Sequence, residues 1–104
     1  MRHRFLTVPY NDQGIAEYNG GVEKSENLYT VELPENEFAA LVNFFGVMNS
    51  ECDLLIDDYE SEEITADKLM KCRQIIANLK NDIPVFYKAL EMAIDKNTMI
   101  ALDF

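Results

Sequence analysis

The two ends of this chain read as strand and its middle reads as helix, and that segregation limits the folds open to it. Residues 4–10 and 28–33 are rich in β-branched and aromatic side chains. In the second of these, Leu28, Thr30 and Glu32 alternate with Tyr29, Val31 and Leu33, the period of a half-buried strand. Residues 14–18 form a shorter strand candidate, closed by the turn signal Asn19-Gly20-Gly21. Residues 98–104 return to β composition, and a lone strand there cannot satisfy its backbone, so it is expected to pair with the N-terminal strands.

Between these segments the spacing becomes helical. Pro34 opens a stripe of Phe38, Leu41, Val42, Phe45, Met48, Cys52, Leu55, Ile56 and Tyr59 at steps of three or four. The stripe is long enough for about six turns, and Gly46 or Asn49-Ser50 is expected to kink or split it. A rival reading makes residues 54–56 a buried strand. Residues 61–64 read as a break. Thr65 then suits an N-cap, with Leu69, Cys72, Ile75, Ile76 and Leu79 as the next stripe. Pro84 starts a last helix that buries Val85, Phe86, Leu90, Ala93 and Ile94. The expected fold class is α+β: one domain, residues 1–104, with a small antiparallel sheet of N-terminal strands plus the C-terminal strand, and three or four helices packed on one face.

Charge is polarised along the sequence. Residues 25–67 hold twelve of the 19 acidic residues and none of the nine lysines and arginines. The density peaks over residues 51–63. If residues 51–60 are helical, Cys52, Leu55, Ile56 and Tyr59 face inward, and Asp53, Asp57 and Glu60 stack on the outer side. Like charges four apart destabilise a helix by about 0.2–0.5 kcal/mol each. Such a face either stays solvated or is relieved by a basic partner. Lys68, Lys71 and Arg73 on the following helix could neutralise part of it internally.

Chemistry is sparse by comparison. His3 is the single histidine and lies near the start of the chain, so neither a Ser–His nor a Cys–His pair has a base at hand. The glycines make no phosphate loop. The negative sign opposes nucleic-acid binding. Asp58, Glu60 and Glu62 have the first spacings of a calcium loop, but its sixth position is Glu63 and its twelfth Leu69, where Gly and Glu are needed. Cys52 and Cys72 match no zinc or redox spacing and are expected as buried free thiols. No catalytic group, metal or cofactor is expected. No apolar run reaches the roughly 18 residues of a membrane span. The first ten residues lack the apolar core of a secretion signal, so the expected compartment is the cytoplasm.

In format the chain resembles small acidic bacterial immunity proteins, the cognate inhibitors of secreted or contact-delivered toxins. The likeness is to one compact acidic domain without catalytic residues, with residues 51–63 as its dense acidic segment. It implies cytoplasmic location, no cofactor and direct binding to a basic protein partner, a nuclease toxin whose cleft the acidic domain covers. The residues then meeting the toxin are Asp53, Asp57, Asp58, Tyr59, Glu60, Glu62 and Glu63, with Tyr59, Phe44 and Tyr87 as candidate aromatic anchors. The alternative class is a structural or adaptor subunit, a possible homodimer joined through a sheet edge or helix face, with residues 98–104 as the candidate edge strand.

Overall fold

A computed structural model describes residues 3–57 and 61–104. Among them the order of elements is β1 (Phe5–Pro9), α1 (Asp12–Asn19), β2 (Leu28–Glu32), α2 (Glu35–Val42), α3 (Phe45–Cys52), β3 (Ser61–Ile64), α4 (Ala66–Ile75), a 3-10 turn at Ala77–Leu79, α5 (Pro84–Lys96) and β4 (Ile100–Asp103). The strands form one antiparallel sheet in the order β2-β1-β4-β3, and the helices pack on it, so the fold is α+β. β4 is therefore interior, paired with β1 on one side and β3 on the other. The expectation that residues 98–104 offer a free edge is corrected; the edges are β2 and β3.

Register divides the sheet into two faces. Leu6 stands opposite Val31 and Leu102, Val8 opposite Tyr29, and Ile64 opposite Ile100. These side chains face α2 to α5 and join Phe38, Leu41, Met48, Leu69, Ile76, Phe86 and Leu90 in a single core cluster. Each fully buried aliphatic or aromatic side chain there contributes about 1.5–3 kcal/mol. Phe5, Thr7, Thr30, Ala101, Asp103, Ser61 and Glu63 share the other face. There α1 packs against β1, which is why β1 has burial on both sides and Thr7 and Ala101 are buried as well.

α1 replaces the strand expected at residues 14–18. The Asn11 side chain accepts the Gly14 N–H at 2.9 Å, and Asp12 lies in the first turn, so the N-terminus is capped and its dipole complemented. Asn19-Gly20-Gly21 does end the element, with Gly21 at φ 91°. Gly14 is the one buried residue of α1, because the helix runs so close to the β2 approach that a Cβ there would overlap the Asn27 carbonyl oxygen.

The long stripe is split, but at Asn43-Phe44 rather than at Gly46 or Asn49-Ser50. Phe38, Leu41, Phe45, Met48 and Cys52 are buried as the spacing predicts, whereas Val42 of the same stripe is exposed. Beyond Cys52 the helical reading fails. Asp53 ends α3 in the left-handed region, at φ 54°. From there burial alternates: Leu54 and Ile56 are buried while Leu55 is 80% exposed. This is the period of extended chain, as in the rival reading, although residues 54–57 belong to no strand. The Asn49 side chain replaces the strand neighbour, accepting the Ile56 N–H at 2.8 Å and donating to the Ile56 carbonyl at 3.2 Å.

Candidate partner-binding surface

The acidic segment leaves α3 at Asp53, runs extended to Asp57 and returns as β3. Asp58, Tyr59 and Glu60 lie outside the described residues. With the helix over at Cys52, the stacking of Asp53 and Asp57 along one helical face is overturned, and the part of that expectation that falls on Glu60 lies outside the described residues. Asp53 is exposed at the turn, where its backbone carbonyl accepts a hydrogen bond from Lys68 Nζ at 2.9 Å. Asp57 is exposed as well.

Glu62 and Glu63 are parted by the pleat of β3. Glu62 turns toward the helical side of the sheet. One of its oxygens accepts the Leu55 N–H at 2.6 Å and the other accepts the Glu63 N–H at 2.9 Å. Its carboxylate clasps the 54–56 segment to β3. Glu63 points to the opposite face, where Ser61 and Asp103 also lie.

On that face Asp103 gathers two hydroxyls. Ser61 Oγ donates to Oδ1 at 2.9 Å, and the Tyr18 hydroxyl donates to the same oxygen at 3.2 Å. Burial, and then the negative charge of Asp103, push the Tyr18 hydroxyl up to about 12, with Glu63 adding to the effect. Tyr18 therefore stays protonated and serves as a donor. The α1–β2 loop and this face enclose an open cleft of about 470 Å³ lined by Phe5, Thr7, Tyr18, Val22, Thr30 and Asp103, with Lys24 at its rim. The loop is tied to α1 through Glu17, which accepts from Ser25 Oγ at 2.6 Å; that bond and one from Gln13 lower its carboxyl below the usual range.

Asp103 and Tyr18 belong to this surface and escape a reading of the sequence. They are 85 positions apart, and only the pairing of β4 with β3 and the helical form of α1 bring them beside Ser61 and Glu63. In a β-type segment Asp103 falls on the face opposite Ile100 and Leu102, and that alternation is the local signal that Asp103 leaves the core.

Among the described residues Asp53, Glu62, Glu63 and Asp103 form no ion pair. Lys71 stands 3.8 Å from Glu51, Lys80 sits over the Tyr87 ring at 5.5 Å and Lys88 over Tyr29 at 5.8 Å. Arg4 is buried against Phe38 and donates to Glu35 at 2.8 Å. His3 is engaged with Glu32 at 2.7 Å. Among the described residues no three His, Cys, Asp or Glu side chains are grouped to hold a metal ion, and no helix is long and apolar enough to cross a membrane.

Comparison of the chain with protein-family models, with curated proteins and with solved structures returned no match.

Proposed function

We propose that this protein is an acidic binding protein of the immunity type, which neutralises a basic nuclease toxin by docking on its cationic cleft. The observation that carries this reading is that Asp53, Glu62, Glu63 and Asp103, on and beside β3, form no ion pair among the described residues, while Lys80 and Lys88 are held over tyrosine rings. A net charge of −10 on 104 residues supplies the long-range attraction that steers such an encounter. Asp53, Asp57, Asp58, Tyr59, Glu60 and Glu63 would meet the partner, and Glu62 would hold the segment in shape. The mechanism is occlusion: carboxylates occupy the positions of substrate phosphates. It needs neither cofactor nor catalysis, and the same charge turns nucleic acid away.

The competing reading, a structural or adaptor subunit that forms a homodimer through a sheet edge or a helix face, loses residues 98–104 as its edge strand because β4 has a neighbour on both sides, and keeps β2, β3 and the helix faces. The β3 edge carries Glu62 and Glu63, and like charges discourage a second copy from adding there. The test is inhibition of a basic nuclease, and the first candidate to assay is whatever the adjacent reading frame encodes. Charge reversal at Asp57, Asp58 and Glu60 to Lys should abolish inhibition, and inhibition that survives unchanged would remove the charge-based reading.

A further inference from the structure

We propose that Cys52 and Cys72 are a modification site, a thiol pair that closes to an intramolecular disulfide under oxidation and staples the end of α3 to α4. The sulfur atoms lie 3.4 Å apart in the reduced protein, in contact and both buried. A disulfide needs about 2.05 Å between sulfurs, so the two must close by roughly 1.4 Å. Cys52 is the last residue of α3, beside the left-handed Asp53, so its side chain sits where a helix end can yield. Cys72 is held in the middle of α4.

The placement matters because of what lies between the two residues. The acidic segment, from Asp53 through Glu63, falls wholly inside the ring that a Cys52–Cys72 bond would close. Among the described residues the segment is held by burial of Leu54 and Ile56, the pairing of β3 with β4, the Asn49 clamp, the Glu62 clasp and the Lys68 contact to Asp53. A covalent closure at its base would limit how far it departs from the fold. This follows from the cysteines alone and stands whatever the segment binds.

The chemistry is thiol–disulfide exchange with a small-molecule disulfide such as glutathione disulfide. Cys52, at 5% exposure against 0% for Cys72, is the entry thiol. Its thiolate attacks one sulfur of the oxidant and expels a glutathione thiolate. Cys72 then attacks the Cys52 sulfur of the mixed disulfide and expels the second. The protons lost by the two cysteines end on the two glutathiones, and the oxidant's disulfide is reduced as the protein's forms. Burial pushes the Cys72 thiol up to about 12, so exchange in the native state is slow and waits on opening of the last turn of α3.

The experiment incubates the folded protein with glutathione disulfide, quenches with acid, and reads intact mass, a non-reducing peptide map and the melting temperature. The expected result is a monomer lighter by two hydrogens, one cross-linked peptide pair containing Cys52 and Cys72, and a melting temperature raised by at least about 5 °C. Cys52→Ser and Cys72→Ser should each prevent the mass loss. An unchanged mass, a stable glutathione adduct without ring closure, a disulfide-linked dimer, or a cross-link that lowers the melting temperature would each overturn the proposal. The wild-type map decides the matter even if a serine variant fails to fold.

Discussion

The Glu37 carboxylate of α2 caps α5 from 49 positions away, accepting the backbone N–H of Phe86 at 2.9 Å. Its second oxygen accepts the Val85 N–H at 3.0 Å. Pro84 has no N–H, and Ile83 has no side chain able to cap, so without Glu37 the first donors of α5 would be buried with no acceptor. Glu37 is only 2% exposed and bridges the two helices that flank the core. Replacing it by Ala should destabilise the protein by about 2–4 kcal/mol, since one buried and one half-buried donor lose a charged acceptor. Glu37→Gln, which keeps one acceptor oxygen, should cost roughly half as much. Urea unfolding monitored by circular dichroism measures both.

The Asn49 side chain plays the same part for the chain beyond α3. Asn49→Ala removes both bonds to Ile56 and should cost about 1–2 kcal/mol. Hydrogen exchange should then accelerate at Ile56 and Leu55 before it does in α5. Equal protection in variant and wild type would mean that Leu54 and Ile56 are held by packing alone.

Tyr18 carries a pH signature. Its folded value of about 12 lies above the ordinary value of 10.0. Between these pH values the unfolded chain gives up the proton and the folded chain keeps it. The stabilisation from Tyr18 is thus complete below pH 10 and is lost as pH rises toward 12. Ultraviolet difference titration should show a tyrosine ionising near pH 12, and Tyr18→Phe should remove that late step. Asp103→Asn should bring it earlier, because the carboxylate is the second cause of the shift after burial.

Gly14→Ala tests the position of α1. Ala is normally the better helix former by about 0.8–1 kcal/mol. Here its methyl would overlap the Asn27 carbonyl, so the substitution should instead destabilise by about 1–3 kcal/mol. A stabilised variant would mean that α1 stands off the β2 approach.

Much of the architecture is legible in the chain because local signals and burial agree. Pro34 and Pro84 mark helix starts, and of the predicted stripes Phe38, Leu41, Phe45, Met48, Cys52, Leu69, Cys72 and Ile76 are buried, while Ile75 and Leu79 are half-buried and Val42 is exposed. What is missed depends on partners distant in sequence. Residues 14–18 contain too few apolar positions to show a helical period, and the Asn11 cap decides the outcome. Ser61-Glu62-Glu63 has no strand propensity to speak of and becomes β3 because β4 offers a ladder. The stripe beyond Cys52 fits a helix and a strand about equally, and the left-handed Asp53 with the Asn49 clamp selects extended chain. Of the candidate surface, the acidic residues themselves are visible in the sequence. That Glu62 is engaged with backbone while Glu63 joins Asp103 and Tyr18 is visible only in three dimensions, since adjacent strand residues face opposite ways.

The most direct test of the proposed acidic docking surface is the affinity for a basic nuclease that the protein inhibits, measured across ionic strength for wild type and for a variant with Asp57, Asp58, Glu60 and Glu63 all changed to Lys. Close charge pairs at a protein interface couple by about 1.5–7 kcal/mol. The variant should therefore bind at least about 100-fold more weakly, and wild-type association should slow steeply as salt rises. Equal affinity of the two proteins, with association rates indifferent to salt, would contradict the account.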